Sequence, residues 1–145
     1  MTASRREQII AHIATTLAGT VGVGTRIYRS RLEAFQRAEA PAIVIEPGPD
    51  TPTVPPVSTN RIDWTLQVII AVASRGNIPD QAADPTIVSL HSKLMADRTL
   101  GGLALDVYPG TVTPEFSRGD SPAAWTVCSY SVRYRTAVGA IDQAP

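Results

Sequence analysis

The sequence predicts an α+β domain. It would be a two-layer sandwich with a mainly antiparallel sheet of four to five strands, two α-helices packed on one face and a long proline-rich hairpin arm. Three observations lead there. Two segments place apolar residues at helical spacing, around Ile9–Leu17 and Ile87–Leu94. Residues 60–74 and 124–138 alternate with a period of two, the mark of long strands. Between them in kind stand residues 47–59, which hold Pro47, Pro49, Pro52, Pro55 and Pro56.

The elements follow in order. Ser4-Arg5-Arg6-Glu7 reads as a capping box, in which Ser4 accepts from the Glu7 amide and Glu7 reaches back to that of Ser4. Ile9, Ile10, Ile13 and Leu17 then form one stripe, and Gly19 is the stop. Gly19 to Gly24 is a glycine-rich turn feeding an extended piece, Arg26 to Arg29. Residues 31–38 are expected to make a helical turn anchored by Leu32 and Phe35, ended by Pro41. Ala42 to Glu46 is a strand by its β-branched content.

The five prolines of 47–59 exclude helix and central strand, so an extended loop or arm is expected there. Asn60 to Ser74 is the clearest strand. Ile62, Trp64, Leu66, Val68, Ile70 and Val72 share one face, while Ile69, Ala71 and Ala73 make its far end apolar on both. Arg75-Gly76-Asn77 is a turn. Asp84-Pro85 reads as the start of the second helix, because an earlier start at Asp80 would put Pro85 inside it. Leu103 to Tyr108 is a strand, Pro109-Gly110 a turn or bulge, and Val112 to Phe116 extended chain that Pro114 confines to an edge. Ala124 to Val138 is the last strand. The tail, residues 139–145, is expected to be flexible.

Composition narrows the function. The 145 residues fit a single domain, 1–145, and 43% hydrophobic with 18% charged residues is a globular balance. Thirteen basic and thirteen acidic residues cancel, which argues against bulk electrostatic binding of nucleic acid. No membrane span is expected, and the N-terminal helix lacks a signal-peptide core. One cysteine, Cys128, excludes a disulfide framework and a thiolate zinc cluster. Lys93 is the only lysine, a bias that codon usage explains. Charge is uneven along the chain: residues 1–37 carry six arginines against Glu7 and Glu33, so the remainder is net acidic. Oppositely charged segments suit self-association.

The search for chemistry finds no constellation. His12 and His91 lie outside metal-ligand spacings, Cys128 falls on a core face, and Gly19, Gly22 and Gly24 lack the strand and lysine of a phosphate loop. No catalytic, cofactor-binding or metal residues are assigned, and no enzyme is expected. Arg26, Arg29 and Arg31 lack the zinc finger, helix-turn-helix or stacking platform of a nucleic-acid site.

Several phrases carry a resemblance. After the first helix come Ile27-Tyr28-Arg29-Ser30-Arg31 and Pro41-Ala42-Ile43-Val44-Ile45, then the long strand from Trp64 to Val72. The second helix ends in Asp97-Arg98-Thr99-Leu100-Gly101-Gly102-Leu103, and the last strand reads Tyr130-Ser131-Val132-Arg133-Tyr134-Arg135-Thr136. In these phrases and in element order, over nearly its whole length, the chain resembles the tail-terminator (tail-completion, minor tail protein) family of long-tailed bacteriophages. The resemblance implies a structural virion protein without cofactor, assembled in the host cytoplasm and placed at the head-proximal end of the tail. It would form a hexameric ring on the tail-tube protein, end tube polymerisation and meet neck or head-completion proteins. DNA would pass through the lumen without sequence-specific binding. A heterologous ring needs two unlike patches per subunit. The interaction candidates are Arg26, Arg29, Arg31, the arm residues Pro49, Pro52 and Pro55, and the outward Arg133 and Arg135. A neck or head–tail connector of similar fold is the alternative, and a small ligand-binding module or enzyme a third reading.

Overall fold

The computed structural model describes residues 2–31, 39–53, 60–119 and 122–145. In chain order these form α1 (Arg5–Leu17), β1 (Ile27–Arg29), β2 (Ala42–Thr53), β3 (Arg61–Arg75), α2 (Pro79–Met95), β4 (Asp106–Ser117) and β5 (Ala123–Ala137). One five-stranded sheet has the order β1-β2-β3-β5-β4. It is mixed: β1 runs parallel to β2, and every other pairing is antiparallel. The expected helical turn at 31–38 falls on residues 32–38, outside the described residues.

Both helices cover the same sheet face. Ile9, Ile10, Ile13 and Leu17 of α1 and Ala83, Leu90 and Leu94 of α2 are buried with Ile43, Ile45, Leu66, Val68, Ile70, Val72, Cys128, Tyr130, Val132 and Tyr134. Those strand residues are the alternate positions of β2, β3 and β5, so the period-two pattern is the pleat seen from the core. The opposite face stays polar along much of its length. There Gln67 Nε2 donates to Ser131 Oγ at 3.0 Å, and Arg135 Nε donates to Asp63 Oδ1 at 2.8 Å. At the far end of β3, expected to be covered on both faces, Ala71 and Ala73 are buried and Ile69 is half-buried.

Three expectations are corrected. The arm does not start at Pro47. β2 continues through Pro47, Pro49 and Pro52 to Thr53, and only residues 54–59, with Pro55 and Pro56, lie outside the described residues. The backbone explains how. Ile43 N donates to Arg26 O at 3.0 Å and Ser30 N to Ile45 O at 3.0 Å, so odd residues of β2 face β1, not β3. Pro47 continues that set beyond the end of β1, where no donor is needed. A register shift between Pro47 and Asp50 resets the count, and Pro52, opposite Trp64, faces the same open side. Sequence reasoning excluded a central strand; β2 past Ile45 is an edge strand, which proline permits.

The second correction is α2, which starts at Pro79 and carries Pro85 inside. Proline takes the first helical position there, and Ala82 N donates to Ile78 O at 3.0 Å. Thr86 beside Pro85 is buried and its hydroxyl donates to Val21 O at 2.9 Å, so tertiary contacts hold the turn that proline weakens. The tail, expected to be flexible, makes backbone contacts with the rest of the chain. Arg5 N donates to Ile141 O at 2.8 Å and Ala137 N to Gln143 O at 3.0 Å, which fold it back onto the start of α1. The third correction is that only half of the capping box forms. The Glu7 amide donates to Ser4 Oγ at 3.2 Å, but the Glu7 carboxylate pairs with Arg29. The Pro109-Gly110 signal is a bulge within one strand, β4, not a break. A Cβ at Gly110 would fall 2.9 Å from Ser129 Oγ and 3.3 Å from Ser129 O, so the close approach there favours glycine. β4 is the sheet edge that Pro114 demanded.

Two outcomes check this packing. Leu94→Ala should lower stability by about 2–5 kcal/mol in urea unfolding, the usual cost of a truncated core leucine. Pro52→Thr should leave the fold intact but restore a donor on the open edge of β2, and should raise the rate of high-concentration aggregation.

Candidate functional site

The candidate interaction arginines sit along the β1 edge, and each is engaged. Arg29 makes a two-pronged pair with Glu7 of α1, at 2.5 Å and 2.9 Å. That hydrogen bond holds the Glu7 carboxyl below its ordinary range and pushes the guanidinium of Arg29 up. Arg31 forms a similar fork on Glu39, at 2.7 Å and 3.2 Å, and stacks over the Tyr28 ring at 4.6 Å. Arg26 differs. Its Nε donates to Pro41 O at 3.0 Å and its Nη2 to Gly22 O at 2.7 Å. Both partners are carbonyls, so the hydrogen bonds leave its positive charge uncompensated.

The other candidates are scattered. Pro49 sits in the β2 irregularity and Pro52 further along the same strand, both exposed. Pro55 lies outside the described residues. Arg133 is exposed on the open sheet face, while Arg135 is tied to Asp63. The structure therefore groups Arg26, Arg29 and Arg31 at one sheet edge and separates them from Arg133 and Arg135 on β5.

Sequence reasoning missed a buried polar cluster at the end of the sheet near the tail. Asp50 of β2 has a side chain only 5% exposed. Tyr134 of β5 donates its hydroxyl to Asp50 Oδ2, and Arg6 of α1 approaches the same oxygen at 3.7 Å. Asp50 Oδ1 is buried and meets no donor among the described residues. Trp64 stacks on Tyr134 at 6.2 Å between centroids and donates Nε1 to Thr136 Oγ1 at 2.9 Å. Asp50, Arg6, Trp64 and Tyr134 line a cavity of about 30 Å³ with Ser4 and Ile141. That is room for about one or two waters, not for an organic substrate. Burial, then the hydrogen bond to Asp50, push the Tyr134 hydroxyl well above the usual tyrosine range. The one sequence signal was an acidic residue within the proline run, and it was masked by reading that run as loop.

Two further titratable groups, Cys128 and Tyr130, face the core. Burial pushes the Cys128 thiol up to about 11, away from thiolate chemistry. Tyr130 is pushed up to about 12, again chiefly by burial, and its hydroxyl lies 2.9 Å from His91 Nδ1. Asp97 accepts from Thr99 and from the Gly101 amide, which hold its carboxyl below the ordinary range; it caps the turn after α2. Among the described residues no group of three or more histidine, cysteine, aspartate or glutamate side chains is placed to hold a metal ion, and no helix is long and apolar enough to cross a membrane. No protein-family model matches the chain, and no curated protein matches it either.

Tyr134→Phe should cost about 1–3 kcal/mol, because it strands a buried carboxylate oxygen. Asp50→Asn should cost less, and the double substitution should be less than additive in a denaturation cycle. A second check is alkaline. The folded values of Cys128, Tyr130 and Tyr134 lie above their unfolded ones, so their contribution is full below pH 9 and is lost as pH rises towards 11 and beyond. Unfolding midpoints should fall across that range, and Cys128→Ala should flatten the part between pH 9 and 11.

Proposed function

We propose that the chain is a structural protein that caps a phage-type tail tube as a ring, ends tube polymerisation and forms the surface for head–tail joining. It would act in the virion, at the head-proximal end of the tail, with no reaction to perform. The observation that supports the reading best is a sheet with two unlike edges. β1, short and lined by Arg26, Arg29 and Arg31, closes one side; β4, with exposed Tyr108, Val112 and Phe116, closes the other. Unlike edges on one rigid body are what a head-to-tail ring requires, since each subunit must offer two different patches. The sequence phrases from Ile27 to Arg31 and from Tyr130 to Thr136 add the likeness to tail terminators, and they fall on β1 and on β5. The polar sheet face, neutralised locally by pairs such as Arg135 with Asp63, is compatible with DNA passing without being held.

Light scattering across protein concentration, at low and moderate salt, tests the ring. The expected result is a species near six times the 15.4 kDa chain, alone or on addition of tail tube. A chain that stays monomeric and never decorates tube ends removes the reading. Binding to a portal–adaptor complex without binding to tube would replace it with a neck component.

A further inference from the structure

We infer that two patches at the same end of the sheet, one on each side of the molecule, bind each other between copies of this chain. The inference rests on the ring reading and names the contact that would close it. The first patch lies where the helix layer stops. Val112, Pro114 and Phe116 of β4 pair with Cys128, Thr126 and Ala124, all buried residues of the helix-side face of β5. They therefore share that face, yet Val112 is 53% and Phe116 50% exposed. The flank of α2 next to them is marked by His91, whose ring reaches Tyr130 of β5. Asp80, Asp84 and Val88, spaced by four, continue the His91 flank and are exposed. Asp80 and Asp84 form no ion pair among the described residues. The patch is thus apolar with an acidic border.

The second patch is on the β1 side. Val21 is 56% exposed and is seated on the other flank of α2, where its amide donates to Ser89 Oγ at 3.2 Å. Beside it Arg26 binds Gly22 O and Pro41 O and keeps its positive charge. This patch is apolar with a basic border.

Register places both patches at one height. Phe116 pairs with Ala124, which pairs with Ser74. Ala42, next to Pro41, pairs with Ala73. Val21 against Phe116, with Arg26 against Asp80 and Asp84, matches apolar to apolar and cation to anion. One chain cannot make this contact with itself, because α2 and roughly 19 Å of sheet, four strand spacings, separate the two sides. The occupant of each patch is therefore the other patch on a second copy. The open edges favour contact through side chains, since Pro47 and Pro52 on β2 and Pro109 and Pro114 on β4 remove donors that strand pairing would use.

The test is a double variant, Val21→Cys with Phe116→Cys, oxidised in dilute solution. Both positions are exposed, and Cys128 is buried away from exchange. A ladder of covalent multimers is expected, with at most dimers from either single variant. Phe116→Asp and Asp84→Arg should each weaken assembly at least tenfold by light scattering, without changing the urea midpoint. If the wild-type chain assembles but the double variant gives no ladder and these substitutions change nothing, the inference is overturned while the ring reading stands. If the chain is monomeric and never cross-links, the inference is also overturned. If it cross-links and assembles yet never binds tube ends, the contact is kept and the tail reading fails.

Discussion

A sheet of five strands spans more width than two helices can cover, and much of this molecule follows from where the shortfall lands. Strands sit about 4.8 Å apart and packed helices about 8–10 Å apart, so two helices shelter roughly four strands. Here α1 and α2 cover β1, β2, β3 and β5, and β4 is the strand left bare beyond Val107. The core is complete without it: Leu17, Ile43, Ile70, Leu90 and Val132 are fully shielded. The exposed row on β4 is therefore a consequence of layer geometry rather than a failure of packing. Large apolar side chains left at such a place need a partner more than singly scattered ones do.

Edges impose the second constraint. A long open strand is a template for uncontrolled pairing, and this sheet has two. Proline answers the hazard on both. On β2 it occupies the positions whose backbones face outward, so the ladder to β3 loses nothing while the free side loses donors. On β4 it combines with a bulge at Pro109 and Gly110. Residues 47–53, part of what looked like a loop in the sequence, are strand, and prolines remove donors from its outer side.

This shows what the sequence made legible and what it hid. The alternation in β3 and β5 and the stripe of α1 were readable because each reports one buried face, and burial is what pattern encodes. The start of α2 was not, because propensity assigns Pro85 to a helix end while the contacts of Thr86 and Ala83 override it. The course of β2 was not, because a proline rule for central strands says nothing about which strands are edges. At the candidate site, the arginines of the β1 edge were visible as a cluster, but their partners were not. Glu7 lies 22 residues before Arg29, and only the docking of α1 on β1 brings them together. Segment charge, which set a basic N-terminal quarter against an acidic remainder, is met in part by local pairs, Arg29 with Glu7 inside that quarter and Arg31 with Glu39 just beyond it.

What survives this local neutralisation is more informative than the totals. Arg26 spends its hydrogen bonds on carbonyls and keeps its charge; Asp80 and Asp84 stand exposed on the far flank of α2. Asp50 also has an unmatched oxygen, but its side chain is shielded in a cavity of about 30 Å³, so it answers to a local donor and not to a macromolecule. The distinction is one of solvent access. A buried unmatched group constrains its own surroundings, where each missing hydrogen bond is costly. An exposed unmatched charge beside apolar surface costs little alone and gains when an opposite charge and a matching apolar patch arrive together. By that criterion the two flanks are the surfaces that the proposed contact would use, and the packed interior would hold them at a fixed separation.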